Sequence, residues 1–428
     1  MTRCASMQSR SFRFAVVAGA WWFTWWVCAA AQAQGTTVAV GGALQDGNAE
    51  VWQRLVQLVQ AVQTPADDKA CYSLITIASG EPDEAAARVA ANLQRHGGRA
   101  VHLRVGPRIA GQDVRADVAD PKWLLQLQRC SGIFMTGGAQ ARLLDALQPQ
   151  GQATPLLMAM RDIWRAGGVV AGTSAGAAVL SNVVFRDAPE PLWVMKGQLR
   201  QGQEWDHGFG FVQADLVVDQ HAVRRGRIAR LLPLMQAQRA TLGMAVEENT
   251  AAVFQGDQMQ VLGGRGVLVA DIANATAPAP GAFNLNGATL HWLESGDSFN
   301  LATRTPMASA RKRAGTALLP LSPDHRGYLP GAWFYADMLG DSVIVNAMTR
   351  LVDGDQRELR GLAFSAQPAA HPGADDPAPD LAFEWRLWLD AGTRGWLVNN
   401  PDAYTLAGVR LDIVPVRLQR PLYRPVPP

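Results

Sequence analysis

The chain has 428 residues, 48% of them hydrophobic, with 39 basic residues against 37 acidic ones. That length suits two domains and a large core. No basic stripe marks a nucleic-acid partner, and no Cys or His spacing suits a metal, so neither a metal nor a cofactor is expected.

The first stretch is not core. Arg3, Arg10 and Arg13 precede an apolar run over residues 14–31 that holds Trp21, Trp22, Trp25 and Trp26. Ala31-Gln32-Ala33 follows as a small-x-small cleavage site. The run is short for a membrane span, so residues 1–33 read as a secretory signal peptide. Cleavage predicts an exported protein, periplasmic or extracellular, with no stable membrane anchor and a nearly neutral charge. Cys4 and Cys28 leave with the signal, and Cys71 and Cys130 stay. An even pair in an exported chain invites a disulfide.

Residues 37–40 read as a strand ending at Gly41-Gly42. Trp52, Leu55, Val56, Val59 and Val62 recur at helical spacing. Residues 72–78 form the next strand, and Glu81-Pro82-Asp83-Glu84 opens a helix that Gly97-Gly98 ends. Strands follow at 101–105, 133–135 and 169–170. This alternation predicts an α/β fold, a doubly wound, mostly parallel sheet flanked by helices. Ligands gather at the C-terminal ends of such strands, where Gly137-Gly138 and Ser174 lie. Cys71 and Cys130 each precede a strand, and neighbouring strands would bring the thiols near bridging distance.

Residues 288–293 read as a strand before the Gly296-Asp297 turn. The rhythm fades near residue 306. Beyond it, 341–345 and 384–389 read as strands, 368–380 as a solvated loop, and 421–428 as proline-broken chain. The expected organisation is a signal peptide at 1–33, an α/β domain at 34–305, and a β-rich C-terminal extension at 306–428.

The chemistry starts at Gly172-Thr173-Ser174-Ala175-Gly176, between an apolar strand and a helix. That context suits a nucleophile elbow, which lifts a serine out of the chain. A serine needs a base and an oxyanion hole to react. The isolated pattern is more often a plain turn. Two downstream segments add weight: Asp219-Gln220-His221, followed by Arg224, Arg225, Arg227 and Arg230, and Glu247-Glu248-Asn249-Thr250-Ala251. His221 alone would read as a satisfied core histidine.

Together with Gly137-Gly138-Ala139-Gln140, these segments resemble the cyanophycinases, serine peptidases related to aspartyl dipeptidase. The resemblance covers roughly residues 36–305. Ala139, Ala222 and Glu247 depart from the family pattern at positions that touch fine substrate preference. The resemblance implies Ser174 as nucleophile, His221 as its base and Glu248 as the carboxylate that orients it, with Glu247 as the competing candidate. It implies an oxyanion hole from the N–H groups of Ala175 and Gly138. It also implies a substrate-binding set of Gln140, Asp219, Gln220, Arg225, Arg227 and Arg230, in which at least one of the three arginines contacts a substrate carboxylate and the rest support the loop. Arg224 reads instead as part of a salt-bridged face. The implied substrate is cyanophycin, cut to β-aspartyl-arginine dipeptides. The competing readings are an aspartyl dipeptidase acting on β-aspartyl peptides and a degenerate binding or scaffold protein. A homodimer is compatible with all of them.

Overall fold

A computed structural model describes residues 35–62, 69–187, 190–279, 281–365, 376, 378–419, 421–422 and 426. The expected signal peptide at 1–33, most of the loop at 368–380 and most of the proline-rich end lie outside the described residues.

In chain order the strands begin with β1 Thr36–Val40, β2 Tyr72–Ile75, β3 Ala100–Leu103, β4 Gly132–Met135 and β5 Val169–Thr173. They continue with β6 Val183–Phe185, β7 Trp205–His207, β8 Leu216–Gln220, β9 Leu242–Val246, β10 Thr250–Gln255 and β11 Gln258–Gly263. Next come β12 Gly266–Asp271, β13 Leu285–Glu294, β14 Ser298–Asn300, β15 Thr305–Met307 and β16 Thr316–Leu318. The last are β17 Phe334–Tyr335, β18 Glu358–Ala363, β19 Leu381–Trp388, β20 Arg394–Val398 and β21 Ala403–Arg417. The helices are α1 Ala49–Gln60, α2 Pro82–Arg95, α3 Val114–Asp117, α4 Pro121–Leu127, α5 Gln140–Leu147 and α6 Pro155–Arg165. They are followed by α7 Ala175–Ala178, α8 Pro191–Met195, α9 Ile228–Gln238, α10 Ala310–Arg313 and α11 Val343–Val352.

Among the described residues, one sheet runs β15-β14-β11-β10-β1-β5-β4-β2-β3. Its β1, β5, β4, β2 and β3 are parallel, as the helix–strand alternation predicts. Antiparallel β10, β11, β14 and β15 extend the β1 edge. A second sheet runs β17-β18-β19-β21-β13-β12-β9-β8, with β20 and β16 branching from β21. The segment beyond residue 306 is β-rich and supplies much of this second sheet.

Side chains alternate across a strand, so one strand feeds two cores. Met244, Val246, Val267 and Val269 face the core shared with the first sheet and helices α5 to α7. Their neighbours Ala245, Leu268 and Ala270 face a second core with α9 and α11. On the first sheet, Val38, Val40 and Phe134 pack against α1 and α2. No helix among the described residues is long and apolar enough to cross a membrane.

Two expectations need correction. Residues 343–345 are not a strand; they open α11. Val343-Ile344-Val345 is β-branched, which favours a strand in isolation. Ile344, Ala347, Met348, Leu351 and Val352 nevertheless bury one helical stripe, and that tertiary packing decides. The second strand stops at Ile75, because the chain turns at Thr76, whose carbonyl accepts from Ser79 N. Cys71 and Cys130 precede the adjacent parallel strands β2 and β4 and are joined by a disulfide.

Candidate active site

Three strand ends converge. Ser174 follows β5, His221 follows β8, and Glu247-Glu248 follow β9. The loop after β1 ties them together. Val40 O accepts from Ser174 N, Gly41 O accepts from His221 N, and Gly42 O accepts from Asn249 N. The two sheets are therefore stitched at the site by backbone hydrogen bonds.

Ser174 has φ 52° and ψ −114°, a sparsely populated conformation for a residue with a side chain. His221 and Asn249 also take positive φ, at 51° and 56°. Such strain persists where the surroundings over-determine it, and it gathers at functional sites. Here it aims Ser174 Oγ at His221 Nε2, 3.0 Å away. Gln220 Oε1 lies 3.4 Å from the same hydroxyl. His221 Nδ1 is 2.6 Å from Glu248 Oε1. A carboxylate only accepts, so Nδ1 carries the proton and Nε2 is left to accept from serine.

Electrostatics favour that arrangement. Burial holds the His221 pKa below its ordinary 6.5, and the Arg225 and Arg227 cations push the same way against the pull of Glu248. Burial opposes ionisation of Glu248. The His221 hydrogen bond and the charges of Arg224 and Arg225 nevertheless hold its pKa below the usual carboxylate value. The imidazole is thus neutral and the carboxylate charged near neutral pH. A hydroxyl, a neutral imidazole and a carboxylate in series can activate the hydroxyl as a nucleophile.

Glu247 is fully buried and holds backbone N–H groups. Its Oε2 accepts from Val223 N and Arg224 N at 2.7 and 2.9 Å, and its Oε1 from Glu248 N at 2.8 Å. Arg224 donates to Glu248 Oε2 at 2.9 Å, the salt bridge expected of it. Arg225 is half-exposed, 4.0 Å from Glu248 Oε1. Arg227 donates to Gln220 O at 2.7 Å, and burial with the nearby Arg230 charge lowers its pKa to about 10.

Asp219 and Arg230, both expected among the substrate contacts, lie against each other. They pair with each other through two bonds of 2.7 and 2.6 Å, and both are buried. Arg230 stands one turn into α9 and faces back onto the end of β8. The carboxylate takes its Nε and one terminal nitrogen, and the pair braces the loop between them.

Gly137 borders the serine, where a β-carbon would lie 3.0 Å from Ser174 Cβ, and a β-carbon on Gly138 would collide with the Ala78 carbonyl. Ala175 is the first residue of α7, so its N–H has no partner within the helix. Gln140 opens α5, half-buried. Sequence reasoning missed Gly42. It takes φ +101°, and a β-carbon there would overlap the His221 ring. The signal was available as a glycine pair closing the first strand. A cavity of about 190 Å³ beside Ser174, lined by Leu44, Trp52, Arg88, Phe134 and Thr136, was also not foreseen. Among the described residues no group of three or more His, Cys, Asp or Glu could hold a metal ion.

Residues 39–262 match the model of peptidase family S51. The chain belongs to peptidase family S51. A cyanophycinase from Trichormus variabilis is 31% identical over 255 residues, 57% of this chain and 80% of that protein. A cyanophycinase from Synechococcus elongatus is 34% identical over 202 residues, 44% of this chain. The chain spans 58% of the length of that second relative. A crystal structure of a peptidase from an acI-B1 Actinobacterium aligns with a TM-score of 0.46 at 21% identity, over 63% of this chain and 98% of that one. All the site residues above lie inside the S51 match.

Proposed function

We propose that this S51 protein is an exported serine peptidase that hydrolyses cyanophycin to β-aspartyl-arginine dipeptides. Cyanophycin is a poly-aspartate backbone with arginine on each β-carboxyl. The observation that carries the reading is the hydrogen-bonded series Ser174 Oγ, His221 Nε2, His221 Nδ1 and Glu248 Oε1. In this mechanism His221 takes the serine proton as Oγ attacks a backbone carbonyl, then gives it to the leaving amine. Glu248 holds the imidazole and stabilises its charged form. The N–H groups of Ala175 and Gly138 receive the oxyanion. Water attacks the acyl-enzyme by the reverse route.

Export fits the substrate, since an insoluble polymer must be cut before its pieces enter a cell. The relatives named cyanophycinase support the substrate class. The test is release of soluble β-aspartyl-arginine from insoluble cyanophycin by purified protein, beside a Ser174→Ala variant of intact fold. Serine loss is expected to cut turnover by about 10⁶-fold, as in other serine peptidases. Near wild-type turnover by the variant would sink the mechanism. No release by the wild type would sink the substrate.

A further inference from the structure

A cavity of about 340 Å³ opens beside the arginine loop. Its walls include Glu190, Trp193, Arg225, Asp337, Leu339 and Phe364. Arg225 joins it to the catalytic series, being 4.0 Å from Glu248. Glu190 and Trp193 come from the start of α8. Asp337, Leu339 and Phe364 lie beyond residue 262, outside the S51 match. The contact between the two parts is close, because Gly226 lies against the Leu339 carbonyl with no room for a side chain.

The charges of this cavity are arranged in a particular way. Neither Glu190 nor Asp337 has a cationic side chain within ion-pair distance among the described residues. Asp337 is held by accepting from Leu339 N at 2.9 Å. The wall thus carries one cation, two carboxylates and an apolar stretch from Trp193, Leu339 and Phe364. An arginine attached through its α-amino group presents the complement: an α-carboxylate, an apolar stem and a guanidinium. Guanidinium suits planar carboxylates and aromatic faces.

We propose that this cavity is the subsite for the arginine borne on an aspartate of the substrate. Arg225 takes its α-carboxylate, and the stem runs along Trp193, Leu339 and Phe364. Glu190 and Asp337 take its guanidinium. The segment outside the S51 match therefore supplies part of the specificity. This inference rests on the proposed function for its substrate.

The test compares a peptide of two β-aspartyl-arginine units with its citrulline counterpart, which replaces the guanidinium by a neutral urea of equal length. Wild-type protein is expected to favour the arginine peptide in kcat/KM by about 10- to 100-fold, the usual effect of charge-assisted hydrogen bonds. The double variant Glu190→Gln, Asp337→Asn is expected to lose that preference, its kcat/KM on the arginine peptide falling to the level of the citrulline peptide. Both residues are exposed, so the variant should fold, and thermal unfolding checks this. No preference in the wild type, or an equal loss on both peptides, overturns the subsite. If the wild type cuts neither peptide, calorimetric binding decides. Tighter arginine-peptide binding that the double variant abolishes upholds the subsite while the hydrolytic reading falls. Equal binding of the two peptides overturns it.

Discussion

Glu247 and Glu248 are neighbours in the chain with opposite tasks: Glu248 holds the His221 ring, and Glu247 holds the backbone of Val223 and Arg224. One carboxylate orients the imidazole. The other fixes the loop that carries the imidazole's neighbours. The arrangement explains why two adjacent acids follow β9 at a site that needs only one beside the histidine.

Glu248→Gln is expected to lower kcat by about 10⁴-fold with the fold intact, because an amide no longer fixes the imidazole tautomer or its charge. Glu247→Gln should instead lower the unfolding temperature, since a buried acceptor of three backbone N–H groups becomes a mixed donor and acceptor. Steady-state rates and thermal melts on both variants check this. Equal losses of rate with equal stability would contradict the division.

The pH profile follows from the depressed His221 pKa. The base must be neutral, so kcat/KM should rise through a value below the ordinary 6.5 and be level by neutral pH. Arg225 disfavours the imidazolium. Arg225→Gln should therefore raise the His221 pKa and move the acidic limb to higher pH, whatever it does to the absolute rate. A limb that stays in place would show that the Arg225 charge does not reach the imidazole.

Asp219→Asn is expected to cost about 3–5 kcal/mol of stability, because Arg230 is left as an unpaired buried charge. The Asp219 pKa is held low by Arg230 against the opposing effect of burial. Its folded pKa is thus below its unfolded one. The pair's contribution is present above the unfolded pKa and is lost as pH falls through the folded one. Denaturant unfolding at neutral and acid pH measures both effects. A fully stable Asp219→Asn protein with weakened substrate binding would restore the pair to substrate contact.

The Cys71–Cys130 bridge joins residues 59 positions apart in the chain. In the chain-entropy account it contributes about 4 kcal/mol. A chain lacking residues 1–33 carries only these two cysteines. Thiol counting on that protein, denatured without reductant, should find none free, and reduction should lower its unfolding temperature. Two free thiols would exclude the bridge.

What could be read from the chain was local. The turn at Ser174 needs only Gly172, Gly176 and the apolar residues before them, all within a few positions. The parallel core was equally plain, because its strands and helices alternate at short intervals. The second sheet was hidden because β13 pairs with β21 across more than a hundred residues. Val343-Ile344-Val345 misled because local β-branching spoke louder than the buried stripe continuing to Val352. Which of the spaced arginines supports the loop could not be read locally, since a list of them does not reveal that Arg230 turns back onto Asp219. Gly42 was seen only as a strand end, since nothing local announces the ring that lies against it.

Strand β21 fills the middle of the second sheet, between β13 and β19, and it is made after every other strand described. Until it arrives, the long β13 strand shows a row of unpaired amide and carbonyl groups, a ready template for other chains. A chain stopped short of Ala403 would therefore do worse than lose its last residues. It would carry an open edge and tend to self-associate, and the two parts of that sheet would have no strand between them. Trimming the protein at this end is a matter of solubility before it is a matter of activity.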